Sequence, residues 1–256
     1  MLAYRFGKKI FECVPTLRPI LRFGKKFFIK PTFSGWGMTT EHYLPWMDDH
    51  KFNQTFDKAK NLEFTPEMVT TNKILEEYRW RLWNISFAAR KAPELFGGGG
   101  KVFVECGVAD GLSSFFVLNE YRFDAHLYDT FGSLKDHDLE ITPTASVYSN
   151  LSLERTKNNL RGFNIMWHQG YIPDSLDETA PKQISILHLD LTNSEAYVKA
   201  LEFFYPRIIS GGLIIFDDYG WNGYQDANKK IRDFLNTKNG VLQVLPTGQA
   251  IYYLAI

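Results

Sequence analysis

Cysteine is scarce in this 256-residue sequence, with only Cys13 and Cys106 present. Two cysteines exclude a disulfide framework and a zinc site built from cysteine thiolates. The sequence also lacks an excess of charge, because 29 Lys and Arg residues balance 29 Asp and Glu residues. A chain without net charge has no overall field to attract nucleic acid or a membrane. We therefore expect a cytoplasmic protein with no nucleic-acid partner.

Long hydrophobic runs are absent as well. No apolar run approaches the roughly 20 residues that a membrane-spanning helix needs, and the first residues lack a signal-peptide pattern. We therefore expect no transmembrane segment. What is present is a composition of 45% hydrophobic and 23% charged residues, which is typical of a soluble globular chain with a sizeable core. The length indicates one large domain, or one domain with an appendage.

The first thirty residues are locally basic. Their only acid is Glu12, and the opposing cations are Arg5, Lys8, Lys9, Arg18, Arg22, Lys25, Lys26 and Lys30. A weak contact with an anionic membrane surface is one interpretation of this arm. Pro15, Pro19 and Gly24 interrupt any long amphipathic helix, which favours an arm that packs on the rest of the chain or on a second subunit of a homo-oligomer.

The chain divides into two predicted parts. Residues 1–64 form a basic, aromatic-rich arm followed by loops and short turns, and residues 65–256 form one domain. In this domain, leading helices over 65–96, capped by Thr65, precede a glycine run at 97–100 and an α/β core over 101–256. The predicted strands are 101–107, 125–129, 163–168, 184–190, 212–217, 241–245 and 250–255. The predicted helices of the core lie near 112–121, 145–160, 194–206 and 224–238.

Alternation of strands and helices predicts a mostly parallel sheet with helices on both faces. Only the four residues 246–249 separate the last two strands. They should therefore pair as an antiparallel hairpin at the edge of the sheet. The fold class is thus a seven-stranded, Rossmann-like α/β domain preceded by an N-terminal helical and loop extension.

A glycine-containing turn follows the first strand, in Glu105-Cys-Gly107-Val-Ala-Asp-Gly111. Gly107 and Gly111 would let a ligand approach the backbone closely. The spacing lacks the third glycine of a dinucleotide fingerprint, which argues against a nucleotide-linked dehydrogenase. An ordinary strand-to-helix turn also favours glycine, so the turn alone does not decide between a binding site and a structural role.

Asp129 ends the second predicted strand. An acid at this position of a doubly wound sheet can accept hydrogen bonds from the hydroxyls of a ribose. The alternative is a helix-capping or turn aspartate. Together with Glu105, Gly107 and Gly111, Asp129 fits S-adenosylmethionine, which has a nucleoside and an amino-acid end but no pyrophosphate.

Three aspartates follow two neighbouring strands. Asp190 ends the strand at 184–190, while Asp217 and Asp218 end the strand at 212–217. Converging like charges are costly unless a cation compensates them, and a set of carboxylates suits a hard ion such as Mg²⁺. Asp217 and Asp218 alone would more often cap the following helix. With Asp190 opposite, the metal site is the better interpretation.

These motifs together resemble the macrocin O-methyltransferase (TylF/MycF) family over roughly residues 65–256. They are Glu105–Gly111, Tyr128–Gly132, His188–Asp190, Tyr205–Gly212 and Phe216–Tyr219. The resemblance implies a class I methyltransferase fold and Mg²⁺-dependent transfer of a methyl group from S-adenosylmethionine to a sugar hydroxyl. It also implies that Asp190, Asp217 and Asp218 hold the metal.

The resemblance further implies that Glu105 to Gly111 lie along the methionine end of S-adenosylmethionine and that Asp129 binds its ribose. Among other cofactor-binding residues we expect Ser113 and, by its position after the third strand, Gln169. Many family members carry a second acid after the fourth strand, where this chain has Thr192. A role as general base therefore rests on Asp190 alone.

Some nearby residues receive other interpretations. His188 is expected to be a hydrogen-bonded core histidine, and Arg79 and Arg81 are expected to be solvated. Selection of the small-molecule or glycan acceptor is expected to involve the N-terminal part of the chain and the surroundings of Trp221, Asn222 and Tyr224.

Two other functions stay open. A catechol-like acceptor also offers neighbouring hydroxyls to a metal ion, so a small-molecule catechol O-methyltransferase is one alternative. A non-catalytic scaffold that binds S-adenosylmethionine is the other, and the three aspartates argue against it. Nucleic-acid methylation is disfavoured because only the N-terminal arm is basic and no base-handling motif follows the fourth strand.

Overall fold

The computed structural model describes residues 44–65, 71–95, 101–132, 148, 150–221 and 223–255. The predicted basic arm therefore lies outside the described residues. Within those ranges, no helix is both long enough and apolar enough to cross a membrane.

A seven-stranded sheet forms the centre of the fold. Its strands are β1 (Val102–Cys106), β2 (Asp124–Asp129), β3 (Ile165–Gln169), β4 (Ile184–Leu189), β5 (Ile208–Phe216), β6 (Gly240–Val244) and β7 (Ala250–Leu254). They lie in the order β3-β2-β1-β4-β5-β7-β6. Six strands run in one direction, and β7 alone is antiparallel to both of its neighbours. The predicted Rossmann-like layout with a C-terminal hairpin is confirmed.

Six α-helices are described. They are α1 (His50–Ala59), α2 (Thr71–Leu95), α3 (Leu112–Glu120), α4 (Leu153–Asn159), α5 (Ser194–Phe204) and α6 (Gln225–Leu235). Helices α1, α2 and α3 pack on one another, and α5 packs on α6. Since side chains alternate along a strand, Val104 and Cys106 of β1 join the core formed with α5 and α6, and Glu105 points to the opposite face.

Helix α1 corrects the prediction of loops over residues 31–64, which is wrong for residues 50–59. The Asp49 carboxylate caps the helix by accepting a 3.0 Å hydrogen bond from the Phe52 amide. Phe52, Phe56 and Ala59 are buried, and the Phe52 ring lies 5.5 Å from the ring of Phe116 in α3. Spacing at i, i+4 and i+7 marks one face of a helix, and the polar residues between them concealed this short pattern.

Residues 66–70 lie outside the described residues, so the helix cap at Thr65 stays a prediction. The backbone amide of Thr65 donates to the Asp110 carboxylate at 2.7 Å, and its hydroxyl accepts from Arg155 at 2.6 Å. Helix α2 is described from Thr71 onward. Thr65 is thus joined to the turn after β1 and to α4.

Gly107 lets the ends of β1 and β4 meet. It follows the last residue of β1 and has a φ of +86°. Its amide donates a hydrogen bond to the Tyr128 carbonyl of β2 at 2.9 Å. A Cβ added at Gly107 would lie 1.9 Å from the carbonyl oxygen of Asp190. The close approach that the sequence predicted for a ligand is thus made by the neighbouring turn of the protein.

Gly107→Ala is expected to destabilise the fold by about 2–3 kcal/mol, because left-handed strain is joined by a clash with backbone atoms. Gly162→Ala is the matched control, since Gly162 has a φ of +94° and nothing within 4 Å of an added Cβ. That control isolates the destabilisation caused by the positive φ alone, which is about 1 kcal/mol. Urea unfolding of both variants measures the difference, and equal losses would contradict the proposed clash.

Candidate functional site

A cavity of about 460 Å³ opens at the carboxyl ends of the central strands. This edge is where open α/β sheets bind ligands. The predicted site residues that line the cavity are Glu105, Gly107, Ser113, Asp129, Asp190, Asp217 and Asp218. The structure thus brings together seven positions that are spread over more than a hundred residues of sequence.

Gly111 and Gln169 are not among the residues that line the cavity. Gly111 precedes α3 with a φ of +89°, and an added Cβ would meet the side chain of Leu160 at 3.0 Å. The Gln169 side chain is exposed, and its amide donates to the Thr130 carbonyl at 3.3 Å. At the end of β3 it is Gly170 that reaches the cavity wall.

The Asp129 carboxylate joins the end of β2 to the glycine turn. Its Oδ2 accepts from the backbone amides of Val108 at 2.6 Å and Ala109 at 2.9 Å, and its Oδ1 accepts from the amide of Phe131 at 2.7 Å. The Thr130 hydroxyl also donates to Oδ1, at 3.4 Å, and together these bonds fix the orientation of the carboxylate beside the cavity.

Asp190, Asp217 and Asp218 form an acidic centre on the cavity wall. One carboxylate oxygen from each lies within 4.8 Å of those of the other two. Their strands are held in register by backbone bonds beyond the sheet, from Asp190 N to Cys106 O at 2.8 Å and from Asp217 N to Leu189 O at 2.9 Å. The predicted convergence of the three acids is present, and oxygen ligands at this spacing suit a hard divalent ion.

The acidic centre raises the proton affinity of one member. Desolvation, together with the charges of Asp217 and Asp218, raises the pKa of Asp190 well above its usual value. A carboxylate with a raised pKa is a stronger base when it is ionised. Asp190 on the cavity wall therefore holds a proton more tightly than an exposed aspartate does.

Arg81 of α2 lies within the acidic centre, and the expectation that it is solvated is wrong. Only 7% of its surface is exposed. Its Nη2 donates to Asp217 Oδ2 at 2.5 Å and to Asp218 Oδ1 at 2.7 Å. Burial alone would raise the pKa of Asp217, but Arg81 and His188 hold it at about 2. The sequence contained a signal for this burial. Arg81 follows Tyr78 by three residues and precedes Ile85 by four, which places it on the same helix face as these two side chains.

His188 links the two halves of the site beneath the cavity. Its Nδ1 lies 2.8 Å from Glu105 Oε1, and its Nε2 lies 3.6 Å from Asp217 Oδ1. Burial alone would lower the pKa of His188, but the nearby carboxylates of Asp217 and Glu105 raise it to about 10. The Ser114 hydroxyl donates to the other oxygen of Glu105. His188 is thus a buried imidazolium between two acids, a charge that the sequence interpretation did not foresee.

Tyrosines surround the acidic centre. Burial and the charges of Asp190 and Asp218 raise the pKa of Tyr148 to about 12, and burial raises the pKa of Tyr78. Tyr224 shares a hydrogen bond with Asp218, and burial raises its pKa as well. All three therefore stay neutral phenols at physiological pH. Trp221 is 46% exposed, and Asn222 lies outside the described residues.

Comparison with known families identifies the chain. The family model for macrocin O-methyltransferase (TylF) matches residues 102–252, which is more than half of the chain. The chain belongs to the macrocin O-methyltransferase family. The matched region holds every predicted site residue, and the cavity of this family member takes Arg81 and Tyr78 from α2, before the match begins.

One characterised relative of this macrocin O-methyltransferase family member comes from Streptomyces olivaceus. It is named 8-demethyl-8-(2,3-dimethoxy-alpha-L-rhamnosyl)-tetracenomycin-C 4'-O-methyltransferase, and the two are 24% identical over 140 residues. The alignment covers 53% of this chain and 51% of the relative. The chain thus spans about half the length of the relative that it matches.

Two solved structures similar to this family member are named as methyltransferases. The O-methyltransferase NovP superposes with a TM-score of 0.59 at 18% identity, covering 69% of this chain and 80% of its own. A calicheamicin methyltransferase superposes with a TM-score of 0.52 at 15% identity, covering 83% and 94%. At these identities the likeness shows the fold, and it confirms the Rossmann-like methyltransferase architecture.

Proposed function

We propose that this chain transfers a methyl group from S-adenosylmethionine to a sugar hydroxyl of a glycosylated small molecule, with Mg²⁺ in the acidic centre. One observation carries the proposal. In a member of the macrocin O-methyltransferase family, a single cavity combines the Asp129 carboxylate, the glycine turn and the acidic centre. The cavity thereby offers a cofactor-type surface next to a surface that suits hydroxyl groups on a hard cation.

The proposed chemistry divides between the bound groups and the protein. When bound, S-adenosylmethionine supplies the methyl group, and the divalent ion lowers the pKa of a hydroxyl that it ligates. The protein must hold the acceptor oxygen in line with the methyl carbon. Asp129, fixed by three backbone amides, is assigned to the ribose hydroxyls, and Glu105 and Ser113 line the adjoining wall.

Asp190 is assigned as the residue that takes the hydroxyl proton. It lines the cavity, and it lies beside the other two acids of the acidic centre. Transfer of the proton to an Asp190 oxygen would leave the acceptor oxygen as the nucleophile. Asp217 is less suited to this step, because its Oδ1 accepts from the buried amide of Gln249 at 2.7 Å.

A sugar acceptor is favoured over a catechol by the relative whose name includes a rhamnosyl group. The phenols around the acidic centre and the exposed ring of Trp221 are suited to both, since aromatic faces pack on sugar rings and on planar rings. An acceptor panel of rhamnosides and catechols separates the two. Binding of S-adenosylhomocysteine without methylation of any acceptor in the presence of Mg²⁺ would instead favour the scaffold.

Asp129→Asn is expected to weaken binding of S-adenosylhomocysteine by about tenfold or more, because a charged acceptor of hydrogen bonds becomes a neutral amide that can no longer accept from every partner. Calorimetric titration measures the change. The control is Asp226→Asn, an exposed aspartate that pairs with Lys230 at 3.0 Å on α6. Equal affinity in both variants would contradict the ribose assignment, and no binding by the intact protein would contradict the methyltransferase proposal.

A further inference from the structure

The acidic centre already contains a cation. Nη2 of Arg81 lies 2.5 Å from Asp217 Oδ2 and 2.7 Å from Asp218 Oδ1, and the guanidinium is nearly buried. It also donates to the backbone carbonyl of Asp217 at 2.5 Å. Like charges held this close need a compensating positive charge. Arg81 supplies the charge that sequence analysis assigned to a metal ion alone.

Asp217 has both of its carboxylate oxygens engaged. Oδ2 accepts from Arg81, and Oδ1 accepts from the buried Gln249 amide at 2.7 Å. The side-chain oxygen of Gln249 accepts in turn from the Asn84 side-chain amide at 3.0 Å and from the Thr247 hydroxyl at 3.1 Å. This network fixes the amide of Gln249, so the bond to Arg81 is the one that Asp217 can release in order to ligate an ion.

The guanidinium has another surface to occupy. Its Cζ lies 5.1 Å from the ring centre of Tyr78 and 5.8 Å from the ring centre of Trp221. Both distances lie within the range of cation–π attraction. A guanidinium that leaves the two carboxylates therefore has two aromatic rings within reach, that of Tyr78 on the wall of the same cavity and that of Trp221.

We propose that Arg81 is the resident cation of the acidic centre, and that a divalent ion binds all three aspartates only by displacing its guanidinium. The proposal rests on the metal part of the proposed function. Displacement weakens binding of the metal ion, because the ion must compete with a positive charge that belongs to the α2 side chain. Metal affinity is then set by an arginine that lies before the region that the family model matches.

The first test is calorimetric titration of the full chain with Mg²⁺. We expect Arg81→Gln to bind Mg²⁺ about tenfold or more tightly than the unchanged protein, because a competing positive charge is removed. Arg79→Gln is the matched control. Arg79 lies on the same helix, pairs with Glu76 at 3.4 Å, and does not line the cavity; its loss should leave the affinity within about twofold.

The second test needs no variant. Crystals of the unchanged protein soaked in Mn²⁺ should show the ion on the three aspartates and Arg81 Nη2 beyond hydrogen-bond distance from Asp217 and Asp218. An ion bound while both Arg81 bonds persist would overturn the displacement, as would equal or weaker Mg²⁺ binding by Arg81→Gln. No ion in either experiment would overturn the displacement together with the metal part of the proposed function, and binding of S-adenosylhomocysteine would still test the cofactor part.

Discussion

Asp190→Asn should lower the rate of methyl transfer by about 10³-fold, which is within the contribution of a positioned general base. The substitution keeps the shape of the side chain and removes its ability to accept the proton. The reason is structural, since Asp190 lies on the cavity wall beside Asp217 and Asp218. Because the substitution also changes a proposed metal ligand, calorimetric titration of the variant with Mg²⁺ separates loss of the base from loss of the ion. The measurement is single-turnover transfer from S-adenosylmethionine to the acceptor that the panel identifies, at saturating Mg²⁺.

Two controls make this result specific. Asp226→Asn removes an exposed aspartate that bonds Ser194 at 2.6 Å on the surface, and its rate should stay within about twofold of the unchanged protein. Binding of S-adenosylhomocysteine to Asp190→Asn should also be retained, because Asp129 is untouched. An Asp190→Asn rate above a tenth of the original would contradict the assignment of Asp190 as the base.

The strands and the acids at their ends could be predicted from the sequence. Short apolar runs that alternate with helical stretches leave few arrangements other than a parallel sheet, and the carboxyl ends of parallel strands meet at one edge. Asp129, Asp190 and Asp217 follow such runs directly. Their convergence therefore depends on topology, and it did not require knowledge of any side-chain contact.

The partners of Arg81 and His188 could not be predicted from the neighbouring sequence. The partners of Arg81 lie 136 and 137 residues away, and the partner of His188 in β1 lies 83 residues away. A charged residue on an apolar helix face signals that a partner exists, but only the fold identifies which acid it is. The protonation of His188 depends in the same way on two acids from separate strands.

Gly107 shows a different limit of prediction from sequence. Sequence analysis correctly marked Gly107 as a position where something approaches the backbone closely. It assigned that approach to a ligand, whereas the structure places the carbonyl oxygen of Asp190 there. A requirement for glycine is local and can be predicted from a turn pattern. The identity of the approaching group depends on how neighbouring strands end.

His188→Leu is expected to destabilise the protein by about 3–5 kcal/mol, the usual cost of removing one partner from a buried ionic network. Leucine is of similar size, so the loss comes mainly from charge. Without the imidazolium, Glu105 keeps the hydroxyl of Ser114, and Asp217 keeps Arg81 and Gln249. Urea unfolding in the presence of a chelator measures the change without a contribution from bound metal.

The double variant Glu105→Gln/His188→Leu decides between charge and packing. If His188 acts as the counter-ion of Glu105, neutralising Glu105 should restore part of the stability that His188→Leu loses, because the remaining side chains no longer include an uncompensated acid. If His188 only fills space, the two losses should add. Restoration would mean that the acids at the ends of β1 and β5 are held by one buried imidazolium, so that the cofactor side and the metal side of the cavity share a common support.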